Sequence, residues 1–88
     1  QLIIFEKGYI ALVQEGGKLR ISTKYGIDEK RRESIPKLAL EVKEKVLNKG
    51  LSYLSNNYCN SGKSVLCFSI RIGKDIIGLL YLENKGKG

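Results

Sequence analysis

Two cysteines and a Gly-Lys-Ser motif are the residues of this sequence whose types could do chemistry. Cys59 lies in a polar stretch shortly before Lys63, whose charge would favour the thiolate that redox chemistry needs. Cys67 stands inside an apolar run, where a free cysteine usually packs as a small buried side chain. Histidine is absent, which removes Ser–His and Cys–His nucleophile pairs and most zinc sites. The sequence therefore predicts no catalytic residue and no metal site, with a thiol redox role for the two cysteines as the open alternative.

The Gly62-Lys63-Ser64 motif matches only the end of a phosphate-binding loop. The leading glycine is missing at the required spacing, and a strand pattern rather than a helix follows the motif. We interpret these residues as a loop that enters a strand.

The spacing of apolar residues predicts two hairpins with a helix and a short strand between them. The predicted strands are residues 9–14, 19–25, 51–54, 64–72 and 76–83. Paired glycines at 16 and 17 supply the positive φ of a hairpin turn, and Gly78 within an apolar strand marks a close backbone approach or a bulge. Residues 55–63 are predicted to be a polar loop. Residues 2–6 fit either a frayed strand or the last turn of a helix.

One amphipathic helix is predicted, with Ser34 as its N-cap and Gly50 as its left-handed C-cap. Pro36 lies near the first turn, as is common in helices. The apolar face repeats at three and four residues, which is the helical period. Its members are Ile35, Leu38, Ala39, Val42 and Val46.

Composition fits one small soluble domain of 88 residues. Sixteen basic and nine acidic side chains give a net charge of +7, which favours acidic partners in general. The charges are scattered and the tyrosines fall inside strand patterns, so we expect a solvated surface without direct nucleic-acid contact. The apolar runs are too short for a transmembrane helix, and no signal peptide is visible. We expect a cytoplasmic protein with no membrane association.

Residues 64–70 (SVLCFSI) and 76–84 (IIGLLYLEN) resemble the terminal hairpin of GAF domains, the small-molecule sensing modules of signalling proteins. Ser69 stands where that family usually has proline. Residues 6–13, 19–26 and 42–51 resemble the family's first two strands and its helix with the third strand. PAS and longin-like folds share this plan of a sheet with a helix. The resemblance implies an α+β, profilin-like antiparallel sheet of about five strands with one main crossover helix.

The resemblance also implies a function. Residues 1–88 would form a single GAF-like domain, a trimmed core that lacks one or both terminal helices. It would be the non-catalytic, ligand-sensing module of a bacterial histidine kinase or transcription activator, with an output domain in the full-length protein, a small-molecule ligand and no cofactor. The residues expected to bind the ligand are Tyr9, Ala11, Tyr25, Leu38, Val42, Cys59 and Tyr81. Two alternatives are a dimerisation module without a ligand and a thiol redox sensor resembling methionine sulfoxide reductases.

The last two predicted strands are apolar on both faces, and one helix covers only one side of a sheet. Large exposed apolar patches are rare on soluble monomers. We therefore expect the second face to pack against another copy in a homodimer, or against a flanking segment. Residues 2–5 would contribute to that contact.

Overall fold

A computed structural model describes residues 5–27, 38–58 and 62–84, with Asn57 described by its backbone alone. They form one antiparallel sheet of five strands, as the sequence predicts, and the order of the strands is β2-β1-β5-β4-β3. The strands are β1 (Lys7–Val13), β2 (Leu19–Tyr25), β3 (Tyr53–Tyr58), β4 (Lys63–Ile72) and β5 (Asp75–Asn84). β5 lies in the centre, which agrees with its continuous apolar sequence. Of the segment 2–6, residues 2–4 lie outside the described residues.

The predicted β1–β2 hairpin is confirmed. Its turn is a short 3-10 segment, Glu15–Gly17, closed by the amide of Gln14 donating to the carbonyl of Lys18 at 2.7 Å. Gly16 and Gly17 both have φ of 81°. This left-handed conformation is the one that the paired glycines predict, since other residues adopt it only with strain.

The third strand is longer than predicted, and the prediction of a loop over residues 55–63 is wrong in its first half. β3 begins at Tyr53 and continues to Tyr58. Pairing with β4 explains the difference, because Ser55 lies opposite Val65 and Tyr58 opposite Lys63. Cross-strand pairing with a long neighbour outweighs the low strand propensity of serine and asparagine. Residues 59–61 of the predicted loop are outside the described residues.

The crossover helix is shorter than predicted. It begins at Leu40, as α1 (Leu40–Lys43), and continues as a π-helical segment, Glu44–Asn48. Ala39 is extended because its amide donates to the hydroxyl of Tyr58 at 2.7 Å. Leu38 and Ala39 therefore precede the helix, which corrects their assignment to it. The predicted Ser34, Ile35 and Pro36 lie outside the described residues.

The end of the helix agrees with the sequence. Gly50 has φ of 68°, as a left-handed cap requires. The guanidinium of Arg71 donates to the Gly50 carbonyl at 2.5 Å and ties this end to β4. No helix among the residues that the structure describes combines the length and the apolarity needed to cross a membrane.

The core lies between the helix and one face of the sheet, which we call the helix side. Val42 and Val46, one helical turn apart, are fully buried against it. The sheet contributes the other buried members of the core, which are Tyr9, Ala11, Tyr58, Val65, Cys67, Leu79 and Tyr81. Residues of intermediate burial pack around them, and these include Leu38 and Ala39.

The opposite face of the sheet, which we call the open face, is apolar across four strands. Its cross-strand neighbours place Leu54, Leu66 and Leu82 in one row and Phe68, Leu80 and Ile10 in the next. Leu54 is 67% exposed and Phe68 is 41% exposed. Both faces of the sheet are therefore apolar, as the sequence predicts.

Gly78 generates the first testable prediction. A Cβ at this position would collide with the carbonyl oxygen of Ala11 and lie 3.0 Å from Cδ2 of Leu12. Because Ala11 is fixed in the neighbouring strand, we expect Gly78→Ala to lower the free energy of unfolding by about 1–3 kcal/mol. Urea denaturation followed by circular dichroism measures this change. Arg20→Lys, at an exposed position in β2, is the control and should remain within about 0.5 kcal/mol of the parent. Equal stabilities of the two variants would contradict the close approach.

Candidate functional site

A row of aromatic side chains crosses the helix side of the sheet. Tyr9 on β1 lies opposite Tyr81 on β5, which lies opposite Cys67 on β4, which in turn lies opposite Tyr53 on β3. The rings of Tyr9 and Tyr81 stack with centroids 4.9 Å apart and planes 17° from parallel. Both tyrosines are almost fully buried. Alternation along each strand brings these side chains to one face, and antiparallel register aligns them.

A buried carboxylate lies beside this row. Glu83 follows Tyr81 by two residues on β5, so both point to the helix side, and Glu83 is only 4% exposed. The hydroxyl of Tyr81 donates to Oε1 of Glu83 at 3.0 Å. Nζ of Lys63, at the start of β4, lies 3.5 Å from Oε2. These two partners offset the cost of removing a carboxylate from water.

Tyr58 lies opposite Lys63 across β3 and β4 and contacts the start of the helix. It is buried, its hydroxyl accepts the hydrogen bond from Ala39, and its ring packs edge-on against Tyr53 at 5.9 Å. The five residues Tyr9, Tyr58, Lys63, Tyr81 and Glu83 are here called the tyrosine–glutamate cluster. Within the described residues, no three His, Cys, Asp or Glu side chains are grouped as a metal ion would require. The chemistry of the cluster is therefore that of three phenols, a carboxylate and an ammonium.

Burial sets the protonation states around the cluster. Desolvation raises the pKa of Tyr9 and of Tyr81 far above the ordinary value. At Tyr81 the charge of Glu83 and the hydrogen bond to it raise the pKa further. These phenols stay neutral and keep their protons for donation. Burial also raises the pKa of the free Cys67 thiol to about 12, which disfavours the thiolate that a redox role needs.

The structure brings together four of the residues expected to bind a ligand. Tyr9, Ala11, Val42 and Tyr81 all meet in the buried layer between sheet and helix. Leu38 packs beside them with intermediate burial. Cys59 lies outside the described residues.

Tyr25 does not join this group, which corrects the expectation that it shares a face with Tyr9. It is 63% exposed and lies opposite Gly8, so its side chain is on the open face. A bulge is responsible: Ile10 lies opposite Thr23, but Ala11 lies opposite Ile21. The extra residue in β2 reverses the side-chain alternation of a strand.

The open face has a concave feature of its own around Tyr25. It is an apolar depression of about 200 Å³. Its lining residues are Gly8, Tyr9, Ile10, Thr23, Lys24, Tyr25, Leu80 and Leu82. The sequence indicated the apolar residues of this face but not the depression, because the bulge that moves Tyr25 to it leaves no local sequence signal.

Three residues of the cluster were missed by sequence reasoning. Glu83 is the last residue of the predicted strand 76–83, and its spacing of two from Tyr81 already predicts the same face. Tyr58 and Lys63 fall in the predicted loop 55–63. Only the pairing of β3 with β4 brings them to the carboxylate.

Comparisons with known proteins identify the fold. No protein-family model matches the chain, and no curated protein matches it. Among solved structures, the crystal structure of the A. aeolicus nlh2 GAF domain in an inactive state is similar, with a TM-score of 0.62 and 19% sequence identity. The similarity covers 96% of this chain and 60% of that chain. The chain therefore has a GAF-like fold, as its terminal hairpin indicated.

The buried thiol yields a prediction about alkaline pH. The pKa of Cys67 is raised from 9.0 to about 12 on folding, so its contribution to stability is complete below pH 9 and is lost as the pH rises towards 12. Tyr9 and Tyr81, with pKa values shifted in the same direction, add to this loss at higher pH. We expect the free energy of unfolding to fall with rising pH above 9, and Cys67→Ala to reduce the slope.

Alkylation tests the same thiol directly. In a Cys59→Ser background, iodoacetamide should modify Cys67 far more slowly in the native protein than in the urea-unfolded chain, because the native thiol is buried and protonated. Equal labelling rates in the two states would show that the thiol is accessible.

Proposed function

We propose that this chain is the regulatory input module of a longer signalling protein and that it binds a small molecule between its sheet and its helix. The observation that carries the proposal is the tyrosine–glutamate cluster, a polar constellation inside an otherwise apolar core. Buried polar groups cost stability unless they are paired, so a core gains nothing from them as packing material. A few placed polar groups among aromatic walls are typical of ligand sites.

The position of the cluster suits a regulatory role. Glu83 reaches the cluster with its side chain, while its backbone carbonyl accepts a hydrogen bond from the amide of Glu6 at 3.0 Å. The same amide donates to the side chain of Asn84 at 3.1 Å. The residues that lead into β1 and out of β5 are therefore joined beside the cluster. A ligand that binds two arrangements of Glu83 unequally would shift this junction between them.

A non-catalytic role agrees with the protonation states. The phenols have raised pKa values, the Cys67 thiol is protonated, and Glu83 is paired with Lys63. None of these groups is an activated nucleophile. In the proposed full-length protein the output domain is a histidine kinase or a transcription activator in the cytoplasm, and this module contacts neither nucleic acid nor membrane. The solved GAF domain named above is described in an inactive state, which suits a module that switches between states.

A metabolite screen by NMR tests the ligand site. We expect a binding compound to shift the backbone amides of Tyr9, Ala11 and Tyr81. Tyr81→Phe keeps the stacked ring but removes the donor to Glu83, so affinity should fall about tenfold. Tyr25→Phe, on the open face, is the matched control and should leave affinity unchanged. Compounds that shift only open-face amides, or none that bind, would contradict the proposed site.

We propose a second role for the open face, namely association with another copy of the chain. The supporting observation is the continuous apolar surface around Leu54 and Phe68. Both of these side chains are well exposed. Exposed apolar surface of this extent is typical of interaction sites. If the tyrosine–glutamate cluster only stabilises the fold and binds no ligand, the chain acts as a dimerisation module alone.

Light scattering tests the association. The parent chain should be a dimer at micromolar concentration, and Phe68→Lys should be a monomer with unchanged circular dichroism, because it places a charge in the apolar face. Lys74→Met, in the exposed turn between β4 and β5, is the control and should remain dimeric. A monomeric parent chain would overturn the proposal.

A further inference from the structure

The contact between Lys63 and Glu83 is long for an ion pair at a buried carboxylate, and Lys63 makes a further interaction of its own. The Glu83 side chain is 5% exposed, whereas that of Lys63 is 44% exposed and approaches from the edge of the cluster. Their 3.5 Å separation exceeds the roughly 2.7–2.9 Å of a charge-assisted hydrogen bond. Oε1 is held by Tyr81, so Oε2 is the atom at which a better donor can replace the lysine.

The surrounding charge restricts what that donor can be. Lys7 lies opposite Glu83 across β1 and β5, and Lys24 lies opposite Tyr9 across β1 and β2. Both lysines make interactions of their own, but their charges add to a chain of net charge +7. A simple cation would enter a positive environment, and a simple anion would face the carboxylate of Glu83. A molecule that carries both charges avoids each penalty.

We propose that the tyrosine–glutamate cluster binds a small zwitterion of the α-amino acid type. The ligand's ammonium group replaces Lys63 at Oε2 of Glu83, and the released Lys63 binds the ligand's carboxylate. One ion pair is thereby exchanged for two, with no change in net charge. The stacked rings of Tyr9 and Tyr81 provide an apolar wall for the rest of the molecule. This inference rests on the proposed function and specifies the ligand class of the same site.

Calorimetry with four probes, glycine, L-alanine, L-leucine and L-phenylalanine, tests the ligand class. At least one should bind the parent chain. Two further probes are the amine that lacks the carboxylate of that amino acid and the carboxylic acid that lacks its ammonium group. Each should bind at least about tenfold more weakly than the amino acid, because each leaves either Lys63 or Glu83 without its ligand partner.

Two variants test which residue binds the ligand's ammonium group and which binds its carboxylate. Glu83→Gln keeps the shape and an acceptor for Tyr81 but removes the ammonium partner, so affinity for the amino acid should fall about tenfold or more. Lys63→Met should strengthen binding of the simple amine, since the internal competitor for Glu83 is gone, and should remove most of the amino acid's advantage over the amine, since the ligand carboxylate loses its partner. A gain of amine affinity cannot arise from a general loss of folding. Lys74→Met is the matched control and should change neither affinity.

The outcomes separate this inference from the proposed function. If no amino acid binds, or if Lys63→Met weakens amine and amino acid alike, the zwitterion site is wrong. Binding of another chemical class that shifts the amides of Tyr9 and Tyr81 would then leave the proposed ligand site in place. Failure of every compound in the metabolite screen would overturn both.

Discussion

The central position of β5 is the constraint on which the rest of this structure depends. β5 pairs with β1 on one side and with β4 on the other. A strand enclosed in this way places alternate side chains on the helix side, and three of them are Leu79, Tyr81 and Glu83, all buried. Two are ordinary core residues, but the third is a carboxylate. Its need for partners explains why a tyrosine hydroxyl and a lysine converge at the end of this strand.

The two faces of the sheet meet different physical demands. On the helix side, polar groups lie within a closed layer, so each must have a partner, and no buried side-chain nitrogen or oxygen among the described residues lacks one. On the open face, the two rows formed by Leu54, Leu66 and Leu82 and by Phe68, Leu80 and Ile10 are aliphatic or aromatic and require only contact. In the proposed function these demands correspond to different partners, a small molecule for the directional polar cluster and a protein surface for the non-directional apolar face.

A GAF-like fold does not by itself establish what this chain binds, because one fold accommodates many functions. The proposed ligand binding therefore depends on particular atoms. It rests on Oε2 of the Glu83 carboxylate, which lies 3.5 Å from Nζ of Lys63, on the stacked rings of Tyr9 and Tyr81, and on the hydroxyl of Tyr58 at the start of the helix. In the proposed function, the hydrogen bond from the amide of Glu6 to the carbonyl of Glu83 would connect these atoms to the residues that lead into β1.

The sequence alone determined the features that depend on residues close together in the chain. Alternation and glycine turns predict both hairpins, and helical spacing predicts Val42 and Val46 on one apolar face. The resemblance to GAF domains is what placed Tyr9, Ala11 and Tyr81 together. Tertiary structure decided what depends on residues far apart in the chain. Pairing with β4 lengthened β3, a bulge moved Tyr25 to the open face, and the Tyr58 hydroxyl fixed Ala39 outside the helix. The site shows the same division, because Glu83 meets Lys63 only across paired strands. Local patterns report side-chain direction, whereas register and burial arise from contacts that no local pattern encodes.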